Sequence, residues 1–563
     1  MEIIRARIPF MRLLAVAIAL ASVLIARPAA ATLTCDVPSI QLVASSGTTI
    51  TSAAIVTSVT PPVTYCNVLG SIATSSGGQT NTVIFELGLP NTWFGDFLFI
   101  GNGGYAGSLQ AVDQGNFITT VSLGFATAAT DTGHESALGP FGVFDGSFGL
   151  TSGGEPALAA REDFSYRAVH LSTVASEAIT TAYYDSSMFS YFDGCSTGGR
   201  QALVEAEKFP TDYNGIVAGD PGIGDPIAGF NWNDQALLKS PAGYLSPADI
   251  QLVDSAVLAE CDGLDGVVDR LIRDPRKCNF DPKSLMCKGS NKTNCLNHQQ
   301  VKTLQAIYSG AVTNGNAPLY EGFMASDPGG PDGWSEWITG FVAPQFGVTD
   351  PWGLLPFPSL EDAPFQFSFQ DQFMKYFVFN DPNYNSLSFN FRHKVDVNAL
   401  KAIVTEFQGN GENTDLSPFF DAGGKLIMYH GWSDPAVTPL VSVDYYTAVA
   451  QRLYGGDFSQ LQDNARLFMV PGMHHCGGGP GPNVFDPLGP LVGWVQFDSP
   501  PPELEAFHFT NNDPTMPVDR SMPLCPYPQI AVYNNVGSVN LATSWMCENP
   551  PAPALAHPAR PRH

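Results

Sequence analysis

The pentapeptide Gly194-Cys195-Ser196-Thr197-Gly198 has the G-x-S-x-G pattern of an activated serine. A strand-like stretch, Phe189-Ser190-Tyr191-Phe192, runs into it, and helical spacing from Gly199 to Phe209 runs out. That setting predicts a tight strand-to-helix elbow with Ser196 at its tip. The glycines let the backbone turn, and the helix N-terminus aims amide N–H groups at a developing oxyanion. A serine hydroxyl becomes a nucleophile only when a base takes its proton, and the base needs an acid to orient it. On such an elbow the acid and the base follow the serine in chain order. Asp434, in Gly431-Trp432-Ser433-Asp434-Pro435, ends a predicted strand and is the expected acid. His475, in Pro471-Gly472-Met473-His474-His475-Cys476, ends another and is the expected base, with His474 as its competitor. One oxyanion donor is expected at the Thr197 amide. A second is expected from the loop Gly101-Asn102-Gly103-Gly104, at Gly104. His430 reads as a packed histidine or one that backs the site from behind, and His134 as a satisfied structural histidine, with lining the cleft as the alternative.

These residues need a scaffold, and the alternation of elements supplies one. Strands are predicted at Thr82–Leu87, Asp96–Ile100, Val121–Ala129 and Gly215–Gly219, with a helix over Tyr166–Tyr184. Between residues 221 and 420 the alternation stops, in a segment rich in aromatics (Trp334, Trp337, Phe341, Trp352, Phe365, Phe367, Phe369). It resumes with a strand at Lys425–His430, a helix at Pro439–Tyr454 and a strand at Arg466–Val470. Such alternation predicts a mostly parallel sheet covered by helices, with a large insertion before the acid.

At the N-terminus, Arg5, Arg7 and Arg12 precede an apolar run, Leu13–Ile25, and Ala29-Ala30-Ala31 offers a cleavage site. Residues 1–31 therefore read as a signal peptide, and the protein as secreted or periplasmic. Ten cysteines fit that compartment as five disulfides. Neighbours pair as Cys35–Cys66, Cys261–Cys278, Cys287–Cys295 and Cys525–Cys547. The remaining Cys195 and Cys476 directly flank Ser196 and His475, so a bridge between them would tie nucleophile to base. Asn291-Lys292-Thr293 is the one glycosylation sequon noted.

The paired Cys-Ser and His-Cys motifs and the distant Asp resemble the tannase/feruloyl esterase family, from about Cys35 to Cys547. The resemblance implies an α/β-hydrolase fold with a large inserted lid. The catalytic domain is then expected at 32–220 and 421–549 and the lid at the insertion, 221–420; the Pro- and Ala-rich residues 550–563 read from composition as a disordered tail. The resemblance favours His475, directly before the cysteine, as the base. It also implies a small-molecule ester of an aromatic acid as substrate. Hydroxycinnamate, gallate and terephthalate half-esters are all open, since the family includes bacterial mono(2-hydroxyethyl) terephthalate hydrolases.

Between Cys261 and Cys278 runs Asp262-Gly263-Leu264-Asp265-Gly266-Val267-Val268-Asp269-Arg270-Leu271. Three carboxylates spaced by glycines suit a hard cation that wants oxygen ligands. Side chains of Asp262, Asp265 and Asp269 and carbonyls of Val267 and Leu271 would hold a structural calcium ion, as in the lid loop of the resembled family. It is not an EF-hand, because Arg273 stands where a bidentate Glu belongs. The loop is far in sequence from the triad, which points to a purely structural role. Late in the lid, Lys375 and Phe379 are one helical turn apart. They are candidates to hold a substrate carboxylate and its ring; the bland alternative is lid core with a snorkelling lysine.

Composition narrows the function. The 563 residues carry 27 Lys+Arg against 53 Asp+Glu, a net charge of −26. That excludes a general nucleic-acid binder and opposes docking on anionic lipid. The expectation is a secreted serine ester hydrolase with no organic cofactor, no nucleic acid and no membrane partner. Its rivals are an acyltransferase and a calcium-dependent binding protein that keeps the hydrolase shape without turnover.

Overall fold

The computed structural model describes residues 31–109, 114–136, 138–290, 293–353, 363–406 and 411–550. The expected leader (all but Ala31), Asn291 of the sequon and the tail beyond Pro550 lie outside them. The chain divides into two compact units. The first comprises Met1–Pro221, Phe407–Ile427 and Leu491–Pro500; the second comprises Gly222–Glu406, Met428–Pro490 and Pro501–His563.

In the first unit the described strands are β1 (Thr48–Val59), β2 (Pro62–Ser76), β3 (Gln79–Pro90), β4 (Asp96–Ile100), β5 (Ala126–Thr130), β6 (Phe189–Cys195) and β7 (Gly215–Gly219). They lie side by side in the order β1-β2-β3-β5-β4-β6-β7. β1 to β3 form an antiparallel meander, and β5, β4, β6 and β7 run parallel. Phe97, Leu98 and Phe99 of β4 are all buried, the continuous apolar run of a strand covered on both faces. The helix Ala168–Tyr184 buries Val169, Ile179, Tyr183 and Tyr184, and Tyr184 stacks on Trp93 with ring centroids 4.1 Å apart. Cys35–Cys66 fastens the N-terminal segment to β2.

One expected strand is different. Val121–Ala129 is not a single strand: the helix Gln114–Ser122 ends there, and β5 starts only at Ala126. Gly124, at φ +92°, makes the turn. A Cβ on it would lie 2.3 Å from the Phe94 ring, so only glycine fits. The apolar run is continuous in sequence but interrupted in space.

The second unit buries a separate core. The helices Pro226–Leu238, Pro247–Cys261, His298–Ser309 and Phe365–Phe373 contribute Leu237, Val253, Val257, Leu304, Ile307 and Phe367. Capping boxes begin two of these helices, at Ser246/Asp249 and at Asn297/Gln300. Buried amides join two of them: Asn231 Nδ2 donates to Gln370 Oε1 at 2.6 Å and Asn233 Nδ2 to Gln366 Oε1 at 3.0 Å. A short hairpin follows, β8 (Ala311–Val312) and β9 (Pro318–Tyr320). β10 (Lys425–Gly431) enters this unit at Met428 and neighbours β11 (Ala465–Val470). Two antiparallel pairs close the described chain, β12 (Leu504–Phe509) with β13 (Val518–Leu524) and β14 (Ile530–Tyr533) with β15 (Trp545–Glu548). Cys261–Cys278, Cys287–Cys295 and Cys525–Cys547 are formed as expected. Among the described residues no helix is long and apolar enough to cross a membrane.

Candidate active site

Ser196 sits between β6 and the helix Thr197–Lys208 at φ +64° and ψ −120°. A serine occupies this region only when its surroundings force it, and the glycines around it show how. A Cβ on Gly194 would come within 2.7 Å of the Gly198 backbone, and one on Gly101 within 2.7 Å of Gly198 Cα. A Cβ on Gly199 would be 2.2 Å from the Gly219 carbonyl oxygen. Strand, helix and glycine loop thus touch backbone to backbone. The Ser196 N–H donates to Gly219 O at 3.0 Å, and Ser196 O accepts from the Arg200 N–H at 3.0 Å.

The Gly101–Gly104 loop is tied to the same helix. Thr197 Oγ1 donates to Gly104 O at 2.9 Å, and Gly104 has φ +52°. Gln201, buried in the helix, grips Asn102 twice. Its Oε1 accepts from the Asn102 N–H at 2.9 Å, and its Nε2 donates to Asn102 Oδ1 at 3.2 Å. The sequence reading missed Gln201, since nothing in its spacing marks it. His134 is a packed histidine, stacked on Phe148 at 3.5 Å. Burial, partly opposed by hydrogen bonding and nearby acids, pulls its pKa down to about 4.

The candidate acid and base lie within the second unit. Asp434 lies in the turn just beyond β10, and its side chain is fully enclosed. Its Oδ1 accepts from the N–H groups of Ala436 and Val437 at 2.7 and 2.9 Å. Its Oδ2 receives Nδ1 of His475 at 2.7 Å and Nε2 of His430 at 3.2 Å. Burial alone would raise the Asp434 pKa. The charge of His475 and the hydrogen bonds of both histidines outweigh it and hold the carboxyl well below its usual range. With Nδ1 donating to Asp434, Nε2 is the basic nitrogen of His475.

His430 supports the acid from beneath: its Nδ1 meets Ser442 Oγ at 2.7 Å and its Nε2 also meets Val437 O at 3.0 Å. His474 is otherwise engaged. Its two ring nitrogens face carbonyl oxygens, those of Pro331 and Asp327, each at 2.9 Å. Carbonyls only accept, so neither nitrogen is left to take a proton from an alcohol. Cys476 follows His475 at φ +60°. Neither Cys195 nor Cys476 is a free thiol.

Trp337 meets the His475 ring edge-on, with centroids 4.9 Å apart, and stacks on Phe369 at 6.2 Å. It lies on a single π-helical turn, Ser335–Thr339. Its neighbours in sequence gave no sign that this tryptophan, among so many lid aromatics, reaches the base.

Lys375 does not stand ready for a substrate carboxylate. It is buried and bonds Asp371 Oδ2 at 2.5 Å, and Ser386 Oγ holds the other Asp371 oxygen at 2.7 Å. Neither the anchor nor the snorkelling reading fits, because the positive charge is already balanced inside the lid. Phe379 stacks on Tyr384 at 3.9 Å.

The acidic loop between Cys261 and Cys278 does not fit a calcium ion in this structure. Asp262 spends its carboxylate on the N–H groups of Asp269, Arg270 and Leu271, at 2.9–3.3 Å. Arg273 reaches Asp265 Oδ2 through NH1 at 2.6 Å and Asp269 Oδ2 through NH2 at 2.5 Å. Nor is the loop remote from the catalytic candidates. Leu271 lies against Gly472, where a Cβ would be 2.4 Å from Leu271 Cδ1, and the Arg276 guanidinium covers the Trp432 ring at 4.9 Å. Distance along the chain was a poor guide to distance in space. Elsewhere, His170, Glu205 and Asp212 form an acidic group that could hold a metal ion.

An α/β sheet with a strained serine elbow, and an enclosed Asp-His pair following it in the chain, define an α/β-hydrolase fold with an inserted lid. Residues 66–548 match a family model described as tannase and feruloyl esterase, and the chain belongs to that family of carboxylic ester hydrolases. It is 32% identical to the mono(2-hydroxyethyl) terephthalate hydrolase of Piscinibacter sakaiensis, over 86% of this chain and 85% of the relative. It is 29% identical to a probable feruloyl esterase B-2 of Aspergillus terreus, covering 86% of both. The crystal structure of feruloyl esterase B from Aspergillus oryzae superposes with a TM-score of 0.75 at 24% identity, over 90% of this chain and 98% of that one. The enzyme class expected from the sequence is thereby established.

Proposed function

We propose that the protein is a secreted serine hydrolase of small esters of aromatic acids, with Ser196, His475 and Asp434 as its triad. Ser196 Oγ attacks the ester carbonyl carbon as His475 Nε2 takes the hydroxyl proton. Asp434 holds the imidazole in its tautomer and stabilises the imidazolium. The amides of Thr197 and Gly104 bind the tetrahedral oxyanion. His475 returns the proton to the leaving alcohol, and the acyl group stays on Ser196 as an ester. Water, deprotonated by His475, then attacks the acyl-enzyme and frees the acid and Ser196.

The observation that carries this reading is the Asp434–His475 pair at 2.7 Å with the edge of Trp337 against the imidazole. A fully satisfied buried acid beside an oriented base is costly to assemble without a use. An aromatic wall beside the base suits an aromatic acyl group. Pairing Cys195 with Cys476 belongs to the same proposal, as does export, which the four disulfides described above support. Calcium has no part in it, because Arg273 holds two of the loop carboxylates.

The test is hydrolysis of methyl ferulate, methyl gallate and mono(2-hydroxyethyl) terephthalate beside a Ser196→Ala control. Turnover that disappears in the control is expected, and the preferred ester names the acyl pocket. Trp337→Ala should raise KM for these esters by about tenfold while sparing a small acetate ester. Equal losses on both substrate types would remove Trp337 from the acyl pocket.

A further inference from the structure

We infer that the guanidinium of Arg273 is the resident cation of the Cys261–Cys278 loop, taking the place that a calcium ion would otherwise fill. In sequence the loop places three carboxylates within ten residues, and two of them, those of Asp265 and Asp269, meet at one cation in the structure. Arg273 supplies that cation from inside the chain. It is only 6% exposed, bridges Asp265 and Asp269 through its two terminal nitrogens, and lies 4.0 Å above the Trp545 ring.

The fork geometry of a guanidinium suits two separate carboxylates, and its flat face suits an indole. A spherical ion uses neither. A second arginine, Arg520 of β13, donates to the Asp269 carbonyl at 2.7 Å. Calcium entering here would meet Arg273 at contact distance and would have to pull two carboxylates off it. One oxygen, Asp269 Oδ1, is buried without a hydrogen-bond partner. It is the donor a calcium ion would take first once Arg273 is gone.

The loop has a load to carry. Val267 and Leu271 form a small core with Met522 and Trp545. Leu271 then abuts Gly472 in the base loop, and Arg276 covers Trp432 in the acid loop. An internal cation makes this brace independent of calcium supply outside the cell.

The experiment is thermal unfolding of the full oxidised protein, stripped with EDTA and titrated with calcium chloride, together with hydrolysis of a small acetate ester. The native protein should show the same Tm and activity with and without calcium. Arg273→Ser should lose several degrees of Tm in EDTA and recover part of it in millimolar calcium. Arg273→Lys keeps a charge but cannot bridge both carboxylates, so it should fall between the two and gain less from calcium. A loss in Arg273→Ser that calcium leaves wholly unrestored overturns the inference, because any buried arginine with two ion pairs would give it. A saturable rise in native Tm with calcium overturns the inference, and so does an Arg273→Ser protein as stable in EDTA as the native one. If Arg273→Ser does not fold, the native titration and Arg273→Lys decide.

Discussion

The candidate nucleophile and the candidate base are positioned by different physics. Around Ser196 the work is done by backbone against backbone: three glycines leave no room for a Cβ, and the serine is forced to φ +64°. Around Asp434 and His475 the work is done by charged and polar side chains. Two histidines share one carboxylate oxygen, and arginines brace the loops beneath. Steric positioning is unforgiving of an added methyl group, and electrostatic positioning is unforgiving of a lost charge. The two regions should therefore fail in different ways.

The largest effect comes from removing the reacting atoms. Ser196→Ala should lower kcat about 10⁶-fold, and Asp434→Asn about 10⁴-fold by leaving His475 in the wrong tautomer. Far-UV circular dichroism should be unchanged for Ser196→Ala. Asp434→Asn should also lose Tm, because its amide N–H donors would face either both histidines or the N–H groups of Ala436 and Val437. If both variants kept full stability and only Ser196→Ala lost turnover, the contrast between the regions would collapse.

A substitution by alanine at Gly199 sharpens the steric side. Its Cβ would sit 2.2 Å from the Gly219 carbonyl and 2.9 Å from Pro221 Cα. Neither neighbour is a flexible side-chain tip, so strand and helix must separate. A loss of about 3 kcal/mol or more is expected in urea unfolding, with kcat falling before KM moves. Lys375→Ala sharpens the electrostatic side. It strips the partner from buried Asp371 and should cost about 3–5 kcal/mol while leaving KM unchanged for charged and neutral esters alike. A raised KM for charged esters at native stability would restore Lys375 as a substrate anchor.

What was legible in the sequence follows the same division. The elbow could be read because glycine spacing is a direct record of where backbones touch, and Ser196 sits between Gly194 and Gly198. The Asp434–His475 contact could be anticipated because both residues follow predicted strands and come after the serine in chain order. Lys375 and Arg273 could not be placed. Their chemistry depends on which carboxylate a long side chain reaches, and a sequence does not state reach. Arg273 was visible as a residue out of keeping with a calcium ligand, but not as the cation itself. The Gln201–Asn102 clasp and Trp337 were invisible for a related reason: they act across 99 and 138 residues of chain.

The smallest expected effect is a difference in pH response between the two regions. In the first unit, burial pushes Asp96 up to about 7, Glu177 up to about 7 and Asp131 up to about 8. These groups keep their protons in the fold while the unfolded chain releases them near pH 4. The folded state then binds more protons, so their contribution to stability declines as pH rises from about 4 to about 8. Asp434 behaves in the opposite sense. Its depressed pKa adds stability above about pH 4 that is lost as pH falls below it. Asp96→Asn isolates the first slope, because the amide oxygen can still accept from Gln496 Nε2, which donates to Asp96 Oδ1 at 2.7 Å. Tm near pH 4 should barely change, and at pH 8 the variant should gain on the order of 1–3 kcal/mol over the native protein. Equal Tm differences at both pH values would mean that Asp96 is ionised in the fold, and the steric unit would then carry charge after all.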